Sequence, residues 1–200
     1  MTYDEIAEFY RSYLGITNER SVKTLVENTK LVHFKKGDNI LVPGQSMLYV
    51  YFHLKGFTRG YLVSETGEEQ TFAFGKKQYG EPCLGAGALD NAVRNYVQCM
   101  TDVDALRLSI SALQQVLQND RTVAAIYEQM ILAESDRFFH IRVQLGHKSG
   151  REKYEWFLEE FANEVDDIPQ IYIASFLGMK PQSLSRIKVA MEKEAAQNID

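Results

Sequence analysis

Nine of the 13 glycines fall between Gly37 and Gly87. Around and beyond them lie short runs rich in Val, Ile, Leu, Tyr and Phe: LVHF (31–34), NILV (39–42), LYVYFHL (48–54), FTRGYLV (57–63), QTFAF (70–74), NYVQCM (95–100) and ALRLS (105–109). Short strands at regular spacing with glycine between them indicate a β-roll, barrel or sandwich. SETGEE (64–69) is the sharpest turn, because Gly67 takes a positive φ without steric cost. The stretch 75–93, rich in Gly and Ala, breaks the pattern and reads as a loop with a short helix.

The flanks read as helix. Tyr3, Ile6, Tyr10, Tyr13 and Leu14 share one helical face, and Val22, Leu25 and Val26 share the inner side of a second helix over 19–28. After Ser111 a short helical stretch leads into a run from Asp120 to Leu145 that contains neither Gly nor Pro. Val123, Ile126, Met130 and Ala133 follow a 3-4-3 spacing, while Phe138, Ile141 and Leu145 follow another face. One small roll cannot cover so many apolar faces. A second copy of the chain is therefore expected on this helix, with Val123, Ile126, Met130 and Ala133 as the dimer contact. Gly146 ends the helix, and Ser149-Gly-Arg-Glu152 has the form of a capping box. The next helix, 151–164, is expected to bury Tyr154, Phe157, Leu158 and Phe161, before VDDIP (165–169) interrupts the chain.

Composition narrows the class. Two hundred residues at 45% apolar and 24% charged describe an ordinary globular protein and exclude a disordered or collagenous chain. Two cysteines, Cys83 and Cys99, are too few for a disulfide framework and suggest a reducing compartment, the cytoplasm. No apolar run approaches the roughly 18–20 residues of a membrane span, and the acidic, helical start does not read as a signal peptide, so none is expected. The net charge of −5 requires any nucleic-acid binding to come from a local basic patch.

Such a patch lies in QIYIASFLGMKPQSLSRIKV, residues 170–189. Ile173 and Leu177 lie four apart on the inner face of a first helix, and Ala174 is small where two helices approach. Gly178 sits at the turn, where a left-handed backbone is cheap only for glycine. Met179 fills the gap behind it. Pro181 suits the first turn of a second helix, where its missing N–H costs nothing, and Leu184 and Ile187 face back toward the first. Together these positions specify a helix-turn-helix. The outward residues Lys180, Gln182, Ser183, Ser185, Arg186 and Lys188 all donate hydrogen bonds and none is acidic. Residues 180–191 carry +3, from Lys180, Arg186 and Lys188, whereas 148–179 hold three basic and seven acidic residues. An ordinary helical hairpin explains the apolar spacing but not this outward face. A helix so equipped suits the major groove, where Arg reads guanine and Gln reads adenine.

At this point the chain as a whole resembles the Crp/Fnr superfamily of bacterial transcription regulators. FKKGDNILVPGQ (34–45) resembles the family's early strand pair, YFHLKGFTRGYLVSETGEEQTFAF (51–74) its central strands and hairpin, and IASFLGMKPQSLSRIK (173–188) its DNA-binding motif. The resemblance implies an α+β fold. A cyclic-nucleotide-binding-like β-roll or jelly roll spans 1–118, a long dimerisation helix 119–146, and a helix-turn-helix domain 147–200. It implies a cytoplasmic, homodimeric regulator that is not an enzyme. Its recognition helices, 181–192, would meet successive major grooves about 34 Å apart on a palindromic double-stranded operator, with RNA polymerase as a further partner. Pro181, Gln182 and Arg186 match the family's base-reading positions. Lys180 falls at the helix N-cap, where relatives often place Ser or Thr, so a loss of about 1 kcal/mol in helix stability is expected. Many relatives continue into a two-stranded wing, but EKEAAQNID (192–200) has no strand pattern, so no wing contact is expected. The alternative is a ligand-sensing module that docks other proteins through a helix-turn-helix that no longer binds DNA.

Cyclic-nucleotide-binding relatives hold the ribose with a Gly-Glu pair and the cyclic phosphate with an Arg followed by a small hydroxyl residue. Gly80, Glu81, Arg94 and Asn95 match those positions. However, Pro82 removes an N–H donor, Asn95-Tyr96 replaces two small residues, and the loop between Glu81 and Arg94 is longer. Cyclic AMP therefore stands as one candidate effector, and a different small molecule, or none, is the favoured expectation. His33, His53, His140 and His147 show no metal-ligand spacing with each other or with the cysteines, so no metal is expected. Haem, which needs only one His ligand, leaves no spacing to test. Cys99 is expected to be buried and inert. No residue is assigned a catalytic role.

Overall fold

The computed structural model describes residues 1–75 and 93–197. All seven expected strand runs form strands: β1 (Thr29–Phe34), β2 (Asn39–Leu41), β3 (Tyr49–Lys55), β4 (Thr58–Val63), β5 (Glu69–Gly75), β6 (Tyr96–Cys99) and β7 (Val103–Ser109). The helices are α1 (Tyr3–Glu8), continued by a π-helical turn over Phe9–Tyr13, then α2 (Glu19–Glu27), α3 (Ile110–Asn119), α4 (Arg121–His147), α5 (Gly150–Glu160), α6 (Gln170–Phe176) and α7 (Pro181–Gln197). The chain divides into two compact units, Met1–Gly60 with Phe74–Ser135 and Tyr61–Ala73 with Asp136–Asp200. Among the described residues no helix is long and apolar enough to cross a membrane.

The strands form two sheets, ordered β1-β7-β3 and β2-β6-β4-β5. β7 pairs antiparallel with both neighbours, so Leu106 stands opposite Leu31 on one side and Phe52 on the other. Period-two alternation sends the strand residues to two apolar clusters. Tyr51, Val97, Cys99, Val103 and Ala105 form one with Ile40, Leu41 and Met47. Val50, Phe52, Leu106 and Leu108 meet the helical cover, where Ile6, Tyr10, Leu25 and Leu113 are buried. This is the roll expected from the strand spacing, and with its helices it makes the α+β fold that the resemblance implies. At the β4–β5 hairpin, Gly67 takes φ +82°. Its N–H donates to the Ser64 carbonyl (3.0 Å), while the Ser64 N–H donates to the Glu68 carbonyl (2.9 Å).

Asp120 starts α4. Its carboxylate accepts the Thr122 and Val123 amides (3.0 and 3.2 Å) and the Ser21 hydroxyl (2.6 Å). The helix therefore begins tied to α2, and its first turns lie against the roll. Val123 is 4% exposed within the roll's own core, and Ile126 and Met130 pack against that core. Three of the four residues expected at a dimer contact thus cover their own chain, while Ala133 is exposed. Helical spacing identifies an apolar face but not what covers it, which is why the sequence could not separate the two. The uncovered apolar stripe is Leu132 (60% exposed), Phe139 (68%) and Val143 (39%), at i, i+7 and i+11 on one helical face.

In the second unit the expected capping box forms: the Ser149 hydroxyl accepts the Glu152 amide and the Glu152 carboxylate accepts the Ser149 amide. Tyr154, Phe157 and Phe161 are buried as expected; Leu158 is only half-buried, and Trp156 takes a core place instead. Trp156 stacks on Phe176, while Phe161 meets Phe176 edge-on at 5.9 Å. These rings, with Ile168, Ile173, Leu177 and Leu184, form the small core that fixes α6 and α7.

Candidate nucleic-acid interface

The turn between α6 and α7 is built by backbone hydrogen bonds. The Met179 N–H donates to the Ala174 carbonyl (2.9 Å) and the Gly178 N–H to the Ser175 carbonyl (3.2 Å). This is the Schellman pattern, and Gly178 supplies its left-handed residue at φ +66°. The Lys180 carbonyl then accepts the Ser183 and Leu184 amides (2.9 and 3.2 Å), which starts α7 with Pro181 at its first position. Ile173, Ala174, Leu177 and Leu184 are 2% exposed or less, so the inner face is sealed as the spacing implied.

Sealing that face leaves the opposite one open. Lys180, Pro181, Gln182, Ser183, Ser185 and Arg186 are all exposed, and Lys188 is half-buried. Gln182 and Arg186, expected from the resemblance to read bases, lie four apart, one turn along the same helix. α7 stays helical through Gln197, so no wing strand follows within the described residues. Its far end is held differently. Arg151 donates from Nη1 and Nη2 to the two carboxylate oxygens of Glu194 (2.8 and 2.7 Å) and from Nε to Glu155 (2.8 Å). These carboxylates raise the Arg151 pKa, and the guanidinium holds Glu194 below the usual carboxylate value. Sequence reasoning missed this fork. Arg151 and Glu155 were legible as an i,i+4 pair, but nothing in the sequence joins Arg151 to Glu194. At the same junction a Cβ on Gly150 would lie 3.2 Å from Ile187 Cδ1, so α5 begins close against α7.

Of the expected effector residues, Gly80 and Glu81 lie outside the described residues, as do Pro82 and Cys83. Arg94 is exposed and Asn95 is buried, so adjacent residues alternate across the approach to β6. Asn95 Nδ2 donates to the Tyr96 carbonyl (3.2 Å). Of the four expected effector residues, the two that are described thus differ, Asn95 buried and Arg94 exposed. Sequence reasoning also passed over Arg59 inside the roll. Arg59 is 0% exposed and donates from Nη2 to Gln98 Oε1 (2.9 Å). His53 is buried, and desolvation lowers its pKa to about 4, which leaves it neutral near pH 7. The available signal was the arginine inside the strand run FTRGYLV, because a buried guanidinium needs partners. Cys99 is a free, buried thiol, pushed up to about 12 mainly by burial. Among the described residues no group of three His, Cys, Asp or Glu side chains is placed to hold a metal ion.

No protein-family model matches the sequence, and no curated protein is significantly similar to it. Solved structures are similar in fold. FixK2 from Bradyrhizobium japonicum superposes with a TM-score of 0.72 at 20% identity, over 84% of this chain and 86% of that one. A putative transcriptional regulator of the crp/fnr family from Eubacterium rectale gives 0.74 at 17% identity, over 94% and 88%. The c-di-GMP responsive global regulator CLP of Xanthomonas campestris gives 0.69 at 11% identity, over 89% and 93%. Roll, long helix and helix-turn-helix together, matched over most of each chain, give this protein the fold of the Crp/Fnr family regulators.

Proposed function

We propose that the chain is a homodimeric, sequence-specific DNA-binding regulator of transcription, with a roll that senses a small effector. The observation that supports this best is the open face of α7, where Gln182 and Arg186 stand exposed above a sealed inner face. Lys180, Arg186 and Lys188 concentrate positive charge there in a chain whose net charge is −5. Such charge would supply attraction to phosphate on a helix whose outer face is exposed and of a size to enter a groove. The second copy would lie on α4 along Leu132, Phe139 and Val143, with Ala133 exposed on an adjoining face, because this stripe is exposed among the described residues. Residues 1–118 then act as the sensor, 119–146 as the dimer helix and 147–200 as the reading head, on a palindromic operator in the cytoplasm. RNA polymerase is the partner such a regulator would meet there.

The effector is a small molecule taken up by the roll. Cyclic AMP belongs to that class, but Asn95, buried where relatives place a small hydroxyl, weighs against the usual cyclic-phosphate grip. Effector control requires two arrangements of the reading heads and tighter binding to one of them.

The test is selection of duplexes from a random library by the wild-type chain, followed by gel shifts. Arg186→Ala is expected to cost about 1–3 kcal/mol at the selected site and little on random DNA. Equal binding of both DNAs by wild type and variant would remove Arg186 from the reading role. Failure of the wild type to select any duplex would leave the protein-docking module as the better reading.

A further inference from the structure

Among the described residues, β5 is the edge strand of the sheet ordered β2-β6-β4-β5. The Ser64–Glu68 hydrogen bond closes the hairpin, so the backbone groups of Glu68 face β4. By period-two alternation those of Glu69 and Thr71 face the open edge. An open edge needs hydrogen-bond partners. Here a side chain from the helix-turn-helix supplies such a partner. The Ser175 hydroxyl donates to the Glu69 carbonyl (3.0 Å) and accepts the Thr71 N–H (2.9 Å). It therefore fills the place that one residue of a neighbouring strand would fill.

Ser175 is not needed for the internal core of the helix pair. Its neighbours Ile173, Ala174 and Phe176 are the buried residues of α6, while Ser175 is half-buried and hydrogen-bonded to β5. A second contact joins the same strand to the helical part of the unit, since the Phe72 and Phe138 rings lie 6.3 Å apart. The reading face of α7 is exposed while this attachment is made.

We propose that Ser175 is a positioning residue, whose hydroxyl pins the helix-turn-helix to the edge of β5 and so fixes the direction in which the recognition helix is presented. This rests on the DNA-binding reading above. A pinned head samples fewer orientations, so two heads in a dimer keep the separation that a two-half-site operator demands. Binding to a single half-site makes no such demand.

The experiment uses the full chain as wild type, Ser175→Ala and Ser175→Thr. Its DNA probes are a duplex selected on the wild type and a shortened duplex holding one half-site. In the DNA-free protein, Ser175→Ala is expected to speed hydrogen exchange at the Thr71 amide about tenfold. It is expected to weaken the two-half-site duplex about tenfold and leave half-site affinity unchanged, and Ser175→Thr should restore both. Unchanged Thr71 exchange in Ser175→Ala would show that no such attachment exists. Equal weakening on both duplexes would make Ser175 a support of the helix-turn-helix fold, and undiminished affinity for the full site would also overturn the positioning role. A wild type that selects no duplex defeats the DNA reading and the positioning role with it, while Thr71 exchange still reports separately on the attachment.

Discussion

Leu132 and Phe139 offer a quantitative test of the proposed pairing. They lie two helical turns apart on α4 and are 60% and 68% exposed. Complete burial of a Leu or Phe side chain is worth about 1.5–3 kcal/mol. Covering the part still exposed would therefore contribute about 1–2 kcal/mol per side chain. A twofold interface uses each residue twice, so four side chains contribute about 4–8 kcal/mol. The double variant Leu132→Ser/Phe139→Ser removes most of this and should weaken the dimer by roughly three to five orders of magnitude. Sedimentation equilibrium over a range of concentrations reads that shift directly. Val123→Ala is the control, because Val123 is 4% exposed in the roll's own core. It should cost about 2 kcal/mol of stability while leaving the association constant of the folded chain in place. A double variant that dimerises as tightly as wild type would refute the assignment of the stripe, and loss of pairing in Val123→Ala without loss of stability would return the interface to the inner face.

His53 has an ordinary pKa of 6.5 that burial lowers to about 4. As pH falls through this window the unfolded chain takes up the proton first. About 3 kcal/mol of stability should disappear between pH 6.5 and pH 4. Urea midpoints for wild type and His53→Leu should differ in slope over that range, and parallel curves would exclude the effect. Asp120 is held below its ordinary value of 3.8, chiefly by the Ser21 hydroxyl. Its stabilisation is complete above that value and vanishes as pH drops through the lowered one. Asp120→Ala should cost about 1–2 kcal/mol at neutral pH, read from chemical denaturation, and a neutral substitution would mean that the cap is dispensable. A Cβ at Gly178 meets nothing within 4 Å, so only its φ of +66° opposes a side chain. Gly178→Ala should therefore cost about 1 kcal/mol and lower Tm by about 2–4 °C. A larger loss would point to a steric clash instead.

The local elements were legible because they rest on local rules. Glycine spacing and β-rich runs located the seven strands of the described residues, and Ser149 with Glu152 located the start of α5. The helix-turn-helix was legible for the same reason: Ile173, Gly178, Pro181 and Leu184 lie within a dozen residues, and each answers to the geometry of a turn or a helix face. The exposure of Gln182 and Arg186 then followed from burying the opposite side. The sequence by itself thus determined which residues form the roll and which helix face is open. What each apolar or polar face touches was decided only by tertiary structure. Val123, Ile126 and Met130 have the pattern of a dimer seam yet cover their own roll, because periodicity records that a face is apolar and not which surface meets it. The Arg151–Glu194 fork and the Ser175 attachment to β5 join residues 43 and about 105 positions apart. Such contacts depend on where the folded chain brings distant groups, and hydrogen bonding is too short-ranged for any local pattern to announce them.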